Sequence, residues 1–145
     1  MKRSFKSMLG VTLLEIMLVL AIAALIIVMS IRYFQSASTN EKVNAAVDTV
    51  TGIVAAGENY NNANGSFSGI TASSLNSYLP GGKPPASPWG GSITIMSVNA
   101  TIYKISMPVP ATGNDCTLLV ELLKSNNKLK PAACSGTILW MDITE

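Results

Sequence analysis

The chain has 145 residues, room for one domain once any membrane-directed segment is set aside. Of its ten basic residues three, Lys2, Arg3 and Lys6, stand at the very start, leaving seven against eight acidic residues in the remainder, so no basic field for nucleic acid is present there. With no histidine and only two cysteines, Cys116 and Cys134, the composition excludes a four-ligand metal centre of Cys and His; a disulfide is the simpler reading of the pair, with two free thiols as the competing one.

The basic leader MKRSFK is followed, over residues 11–31, by 21 residues of which only Thr12, Glu15 and Ser30 are polar. That is the length of α-helix needed to cross a bilayer. Two ordinary readings apply. A secretory signal peptide cut after Ala21-Ile22-Ala23 would leave a mature chain beginning ALIIVMSI, an exposed apolar tail without a use. A plain signal anchor, with the basic leader held in the cytoplasm and the body outside, fits the charge distribution. Neither accounts for Glu15. An acidic residue at the centre of a span costs roughly 3 kcal/mol, and such residues, even nearer an end, face protein or water and carry function.

Gly10 followed by VTLLE resembles the processing site of type IV prepilins and the related pseudopilins. The resemblance implies that prepilin peptidase cuts between Gly10 and Val11 on the cytoplasmic side, that the new amine at Val11 is N-methylated, and that Glu15, fifth in the mature chain, is an assembly residue. It divides the chain into a leader peptide (1–10), a transmembrane and filament-core helix segment (11–36) and an extracytoplasmic globular pilin domain (37–145). Many members of the family begin with phenylalanine after the cut; Val11 and the short body are similar to the type IVb branch, although the ten-residue leader is short for that branch. The physical sense is direct. Cutting before the apolar run keeps the helix and frees a positive terminus about one turn from a negative Glu15. Packed among neighbouring helices, an unpaired Glu15 is heavily penalised, so the stagger that places it near a neighbour's Val11 amine is favoured.

After residue 31 no proline interrupts the chain as far as Asn61. Val43, Ala46, Val47, Val50, Ile53, Val54, Gly57 and Tyr60 recur at helical period, with Asn40, Glu41, Lys42, Asn44, Asp48, Thr49 and Thr51 mostly off that stripe. The pattern predicts one helix over about residues 12–61, roughly 75 Å long at 1.5 Å per residue, against a competing pair of helices joined near residues 36–39. Residues 61–91 are dense in turn formers and read as loop, with a short helix over 72–78. Trp89, in the PWGG turn, is expected to wedge against the long helix as a core anchor rather than to bind a ligand.

From Ser92 the period becomes two. SITIMSVN sets Ile93 and Ile95 against Thr94 and Met96, and TIYKISM sets Ile102 and Lys104 against Tyr103, Ile105 and Met107, a hairpin that Pro108 and Pro110 end. DCTLLVELLKSN then reads as a helix with Leu118, Leu119, Leu122 and Leu123 on one face and Asn114 or Asp115 as its cap. TILWMDI, residues 137–143, reads as the closing strand. The fold class is α+β: one long helix, half membrane-spanning and half amphipathic, packed on a small antiparallel sheet, the arrangement that the resemblance names as the pilin fold. Cys116 and Cys134 would tie the short helix to the loop before the last strand, similar to the disulfide-bounded C-terminal region of pilins.

No paired carboxylates, histidine or Gly-rich phosphate loop offers an enzyme site, and neither cofactor nor metal is expected. Lys124, Lys128 and Lys130 read as a solvated face rather than a DNA contact. The sequons at Asn64 and Asn99 are taken only as marks of surface loops. The function that the resemblance implies is a structural subunit of a type IV pilus, held single-pass in the inner membrane with its body in the periplasm. The pilus assembly machinery then polymerises it into a helical homo-oligomeric surface filament. The alternatives are a pseudopilin of a type II secretion system, less favoured because major pseudopilins more often lack such a disulfide and rely on calcium, and a minor or adhesive subunit.

The mature chain is expected to begin at Val11, and mass spectrometry of the membrane-extracted protein reads this directly. An N-terminus at Met1 or just past Ala23 contradicts the cut site. Substituting Gly10 should leave the longer precursor in the membrane.

Overall fold

The computed structural model describes residues 12–83, 86–110 and 114–144; the leader and the Gly10–Val11 boundary lie outside the described residues. The elements in order are helix α1 (Leu13–Asn64), a 3₁₀ turn (Ser74–Ser77), strands β1 (Thr94–Ser97) and β2 (Ile102–Pro108), helix α2 (Asp115–Leu123), and strands β3 (Leu129–Ser135) and β4 (Ile138–Thr144). The chain forms two compact units, Met1–Ser38 and Thr39–Glu145.

Helix α1 is a single element of 52 residues rather than two helices joined at 36–39. It continues three residues past the expected Asn61, because the polar run NNAN contains no stop. Gly65 supplies one: it takes φ +75°, a conformation costly for any residue with a Cβ, and its N–H donates to the Asn61 carbonyl at 2.6 Å. Asn64 Nδ2 adds a second bond back to the Tyr60 carbonyl at 2.9 Å.

In the second unit four antiparallel strands lie in the order β1-β2-β4-β3. Period-two alternation sets the faces as expected. Ile95, Tyr103, Ile105, Met107, Leu139, Met141 and Ile143 are buried on one face, while Thr94, Met96, Lys104 and Asp142 point the other way. The buried face shares one core with the α1 stripe, in which Val43, Ala46, Val50, Ile53 and Val54 are at most 5% exposed. Burying side chains of this size contributes about 1.5–3 kcal/mol each. The turn-rich segment adds more than its composition promised. Phe67, Ile70, Leu75 and Leu79 are all buried, and the Phe67 N–H donates to the Ala100 carbonyl at 2.8 Å, fastening this loop to the β1–β2 hairpin. The helix expected over 72–78 is only the 3₁₀ turn.

Three local readings need correction. Residues 129–135, read as loop, form β3; Pro131 and the absence of β-branched residues hid it, and an edge strand with a register shift between Pro131 and Cys134 accommodates both. The α2 leucines do not share a face: Cys116, Leu119 and Leu123 are buried, whereas Leu118 and Leu122 stand 41% and 46% exposed. Asn114 is the residue before α2, but its side chain makes no capping bond.

Gly57 sits where α1 passes over Tyr103. The Tyr103 ring is fully buried, tilted against Phe67 at 4.8 Å between centroids, and its hydroxyl finds no hydrogen-bond partner among the described residues. Burial, and after it the charge of Glu58, hold this phenol well above the usual tyrosine value. The unfolded chain therefore ionises first, and stability falls as pH rises past about 10. A Cβ on Gly57 would come within 2.8 Å of Tyr103 Cζ, while one on Gly52 meets nothing within 4 Å. Gly→Ala in a helix ordinarily stabilises by up to about 1 kcal/mol. Gly52→Ala should do so, and Gly57→Ala should instead destabilise by about 1–3 kcal/mol through overpacking. Denaturant unfolding of the two variants in detergent checks the opposite signs.

Candidate functional site

The apolar part of α1 is the chain's most unusual surface. Among residues 12–37 every side chain is exposed except Ala23, which is intermediate, and the large ones range up to 81% for Leu13. The helix is long and apolar enough to cross a membrane. An uncovered apolar surface of this extent needs lipid or other helices around it.

The three polar side chains between Thr12 and Ile31 differ in how they are satisfied. Thr12 starts the helix: the Glu15 N–H donates to the Thr12 carbonyl at 3.0 Å and to Thr12 Oγ1 at 3.3 Å, half of a capping box whose T-x-x-E spacing is legible in the sequence. Ser30 Oγ donates back to the Ile26 carbonyl at 2.8 Å, so its hydroxyl is satisfied inside the helix. The Glu15 carboxylate has no ion-pair partner among the described residues. Its place in the first turn is favourable to the helix dipole by about 0.3–1 kcal/mol at an exposed position. That is small beside the cost of moving an unpaired carboxylate from water into an apolar surround. Val11, the residue expected to supply a cation from a neighbouring copy, lies outside the described residues. Thr12 is the residue that sequence reasoning passed over, although the capping-box spacing marked it.

In the second unit Cys116 and Cys134 form the disulfide, with 6.3 Å between their Cα atoms. It joins the first turn of α2 to β3 at the register shift. Trp89 is half-buried and packs against the core, as expected of an anchor, and its indole N–H also donates to Asp115 Oδ2 at 3.0 Å, so the PWGG turn is tied to the start of α2. Ser87 Oγ donates to the Pro108 carbonyl at 2.8 Å and holds the same turn against the end of β2. The indole lines an open groove of about 550 Å³ together with Lys42, Pro108, Pro110 and Ile138.

Of the three clustered lysines, Lys124 pairs with Glu121 at 2.7 Å and Lys128 with Glu58 at 2.6 Å. The second pair crosses from α1 to the turn that precedes β3. Lys130 stands opposite Asp142 in the β3–β4 register. Among the described residues, no group of three or more His, Cys, Asp or Glu side chains comes together as a metal site. No protein-family model, no curated protein and no solved structure matches the chain.

The disulfide closes a loop between residues 18 apart, for which chain entropy gives roughly 3 kcal/mol. Cys134→Ser should destabilise the protein by about 2–4 kcal/mol. It should loosen α2 and β3 first, since they flank the missing link. Hydrogen exchange of the full chain in detergent checks both parts, and unchanged protection in α2 contradicts them.

Proposed function

We propose that the chain is a structural subunit of a type IV pilus. On this reading it is inserted in the inner membrane with its body in the periplasm, cut after Gly10, and polymerised through its N-terminal helix into a surface filament. The observation that carries the reading is the single unsatisfied carboxylate in a fully exposed apolar helix: Thr12 and Ser30 are satisfied within α1, and Glu15 is not. In a plain membrane anchor that charge would do no more than favour the start of the helix. In a bundle of identical helices it selects the one stagger at which a neighbour's Val11 amine lies beside it, and so fixes the axial register of the polymer.

Other features support the same reading. The second unit has its own core and its own disulfide, so its folding does not call on Glu15. The disulfide-closed α2–β3 region favours a pilin over a pseudopilin, in line with the family resemblance of the processing site. DNA uptake by direct contact is not part of the proposal, because two of the three clustered lysines are already neutralised by Glu121 and Glu58.

The test is Glu15→Leu expressed as the only copy. Processing and membrane abundance should match the unsubstituted protein, because the substitution makes the span more apolar and leaves the body untouched. Filaments recovered by shearing should be lost, since each contact would leave one amine unpaired at about 3 kcal/mol or more. A normal filament yield would return Glu15 to the role of a helix-start charge.

A further inference from the structure

Between Thr12 and Asn40 the chain carries only two charged side chains, Glu15 and Arg32, and everything separating them is apolar except the Ser30 hydroxyl. Arg32 is exposed and makes no ion pair among the described residues. It opens a run of three large side chains. Tyr33 and Phe34 follow it, 80% and 73% exposed, and after them come only the small or polar side chains of QSASTN. At about 100° per residue, three consecutive positions fan out over more than half of the helix circumference. Arg32, Tyr33 and Phe34 therefore make a collar around α1 rather than a stripe along it.

Glu15 and Arg32 lie 17 residues apart in one helix, roughly 25 Å along its axis, whereas the hydrocarbon of a bilayer is roughly 30 Å thick. In an undeformed bilayer the two backbones cannot both stand at the boundaries, and one charge has to reach. Helix geometry chooses which. Cα–Cβ bonds tilt toward the helix N-terminus, so the Glu15 side chain leans outward at its end of the span and the Arg32 side chain leans inward at its own. Glu15 can also shed its charge by taking a proton, which a guanidinium cannot do. The favourable position thus has Arg32 in its headgroup layer and Glu15 slightly inside the opposite boundary, with its carboxylate leaning back toward water. In the headgroup layer the group that matches the guanidinium fork is the lipid phosphate, and the amphipathic ring of Tyr33 suits the same depth. The three basic residues of the leader mark the cytoplasmic side, so the collar meets the outer leaflet.

We propose that Arg32, Tyr33 and Phe34 form a lipid-binding collar: the guanidinium holds a phosphate of the outer leaflet, the two rings pack beside it, and together they set the depth at which α1 stands in the bilayer. The proposal rests on the membrane-inserted stage of the reading above. It adds the reason a carboxylate is tolerated in the span before assembly: with the helix fixed from the far side, Glu15 stays within reach of water at the near side.

The experiment uses the full chain with Arg3→Lys, which leaves Arg32 as its only arginine whether or not the leader is cut. Labelled with isotopic arginine and reconstituted in vesicles of phosphatidylethanolamine and phosphatidylglycerol, it should show in solid-state NMR a guanidinium carbon dephased by lipid phosphorus, at the separation of a hydrogen-bonded pair. Either orientation of the chain in the vesicle gives the same contact. A nitroxide on Ser36→Cys then reads depth. Arg32→Gln should let it sink by about 5 Å, the difference between the helix spacing and the hydrocarbon thickness, and Arg32→Lys, which keeps the charge, should leave it in place. Absence of phosphorus dephasing in chains that float with the vesicles, or a depth unmoved by Arg32→Gln, overturns the collar. A guanidinium carbon found instead beside a Glu15 carboxylate of a neighbouring copy gives Arg32 to helix packing and overturns it as well. Chains that do not float with the vesicles overturn the membrane-inserted reading, and the collar falls with it; if they float and either arm fails, only the collar falls.

Discussion

The packing of α1 on Tyr103 is the interaction around which the second unit is organised. The helix can lie close to the sheet because Gly57 leaves room for the phenol, and this close approach brings Val50, Ile53 and Val54 into one core with Ile105, Met141 and Ile143. Phe67 joins the same core, tilted against the Tyr103 ring at 54°. A side chain at position 57 would lift the helix from the strands and loosen contacts well beyond itself, since close-packed interiors transmit such strain. The same helix, at residues 12–37, buries almost nothing within the chain. One element thus serves two solvents, a protein core at one end and an apolar surround at the other, and its sequence changes character between residues 31 and 43 accordingly.

Much of this was legible from period alone. The stripe from Val43 to Gly57 and the alternation through Ile95, Tyr103, Ile105 and Met107 are strong patterns, because each element has one wet and one dry face. The segments that escaped prediction lack such a pattern. Strand β3 contains Pro131 and two alanines, and is a strand because β4 pairs with it, not through its own propensity. The leucines of α2 come as two adjacent pairs, 118–119 and 122–123, and on so short a helix the sequence does not say which member of each pair faces inward; in the structure residues 116, 119 and 123 share the buried side. Phe67, Ile70, Leu75 and Leu79 were hidden among turn formers, where single apolar residues carry no period at all.

The candidate site was read in a similar way. Glu15 was conspicuous because a charge in an apolar run is expensive, and the structure adds that its two polar companions are satisfied locally. The T-x-x-E spacing gives Glu15 a modest structural role at the helix start, under about 1 kcal/mol, which is small beside the several kcal/mol that burial of an unpaired charge would cost. The partner of Trp89 was beyond sequence reasoning, because Asp115 is brought to the indole by the path of the chain between β2 and α2.

The edges of the sheet carry one more consequence. An open sheet offers two rows of unpaired amides and carbonyls, and a chain that leaves them bare is exposed to uncontrolled strand addition. Here one margin is β3, where Pro131 offers no N–H and the register shift before Cys134 breaks the flat ladder; the other is β1, four residues long and already met at Met96 by a bridge from Thr71. Neither margin is a good template for another backbone. Growth by main-chain pairing, the route to cross-β aggregates, is discouraged at both sides, and any ordered association of this chain is left to its side chains.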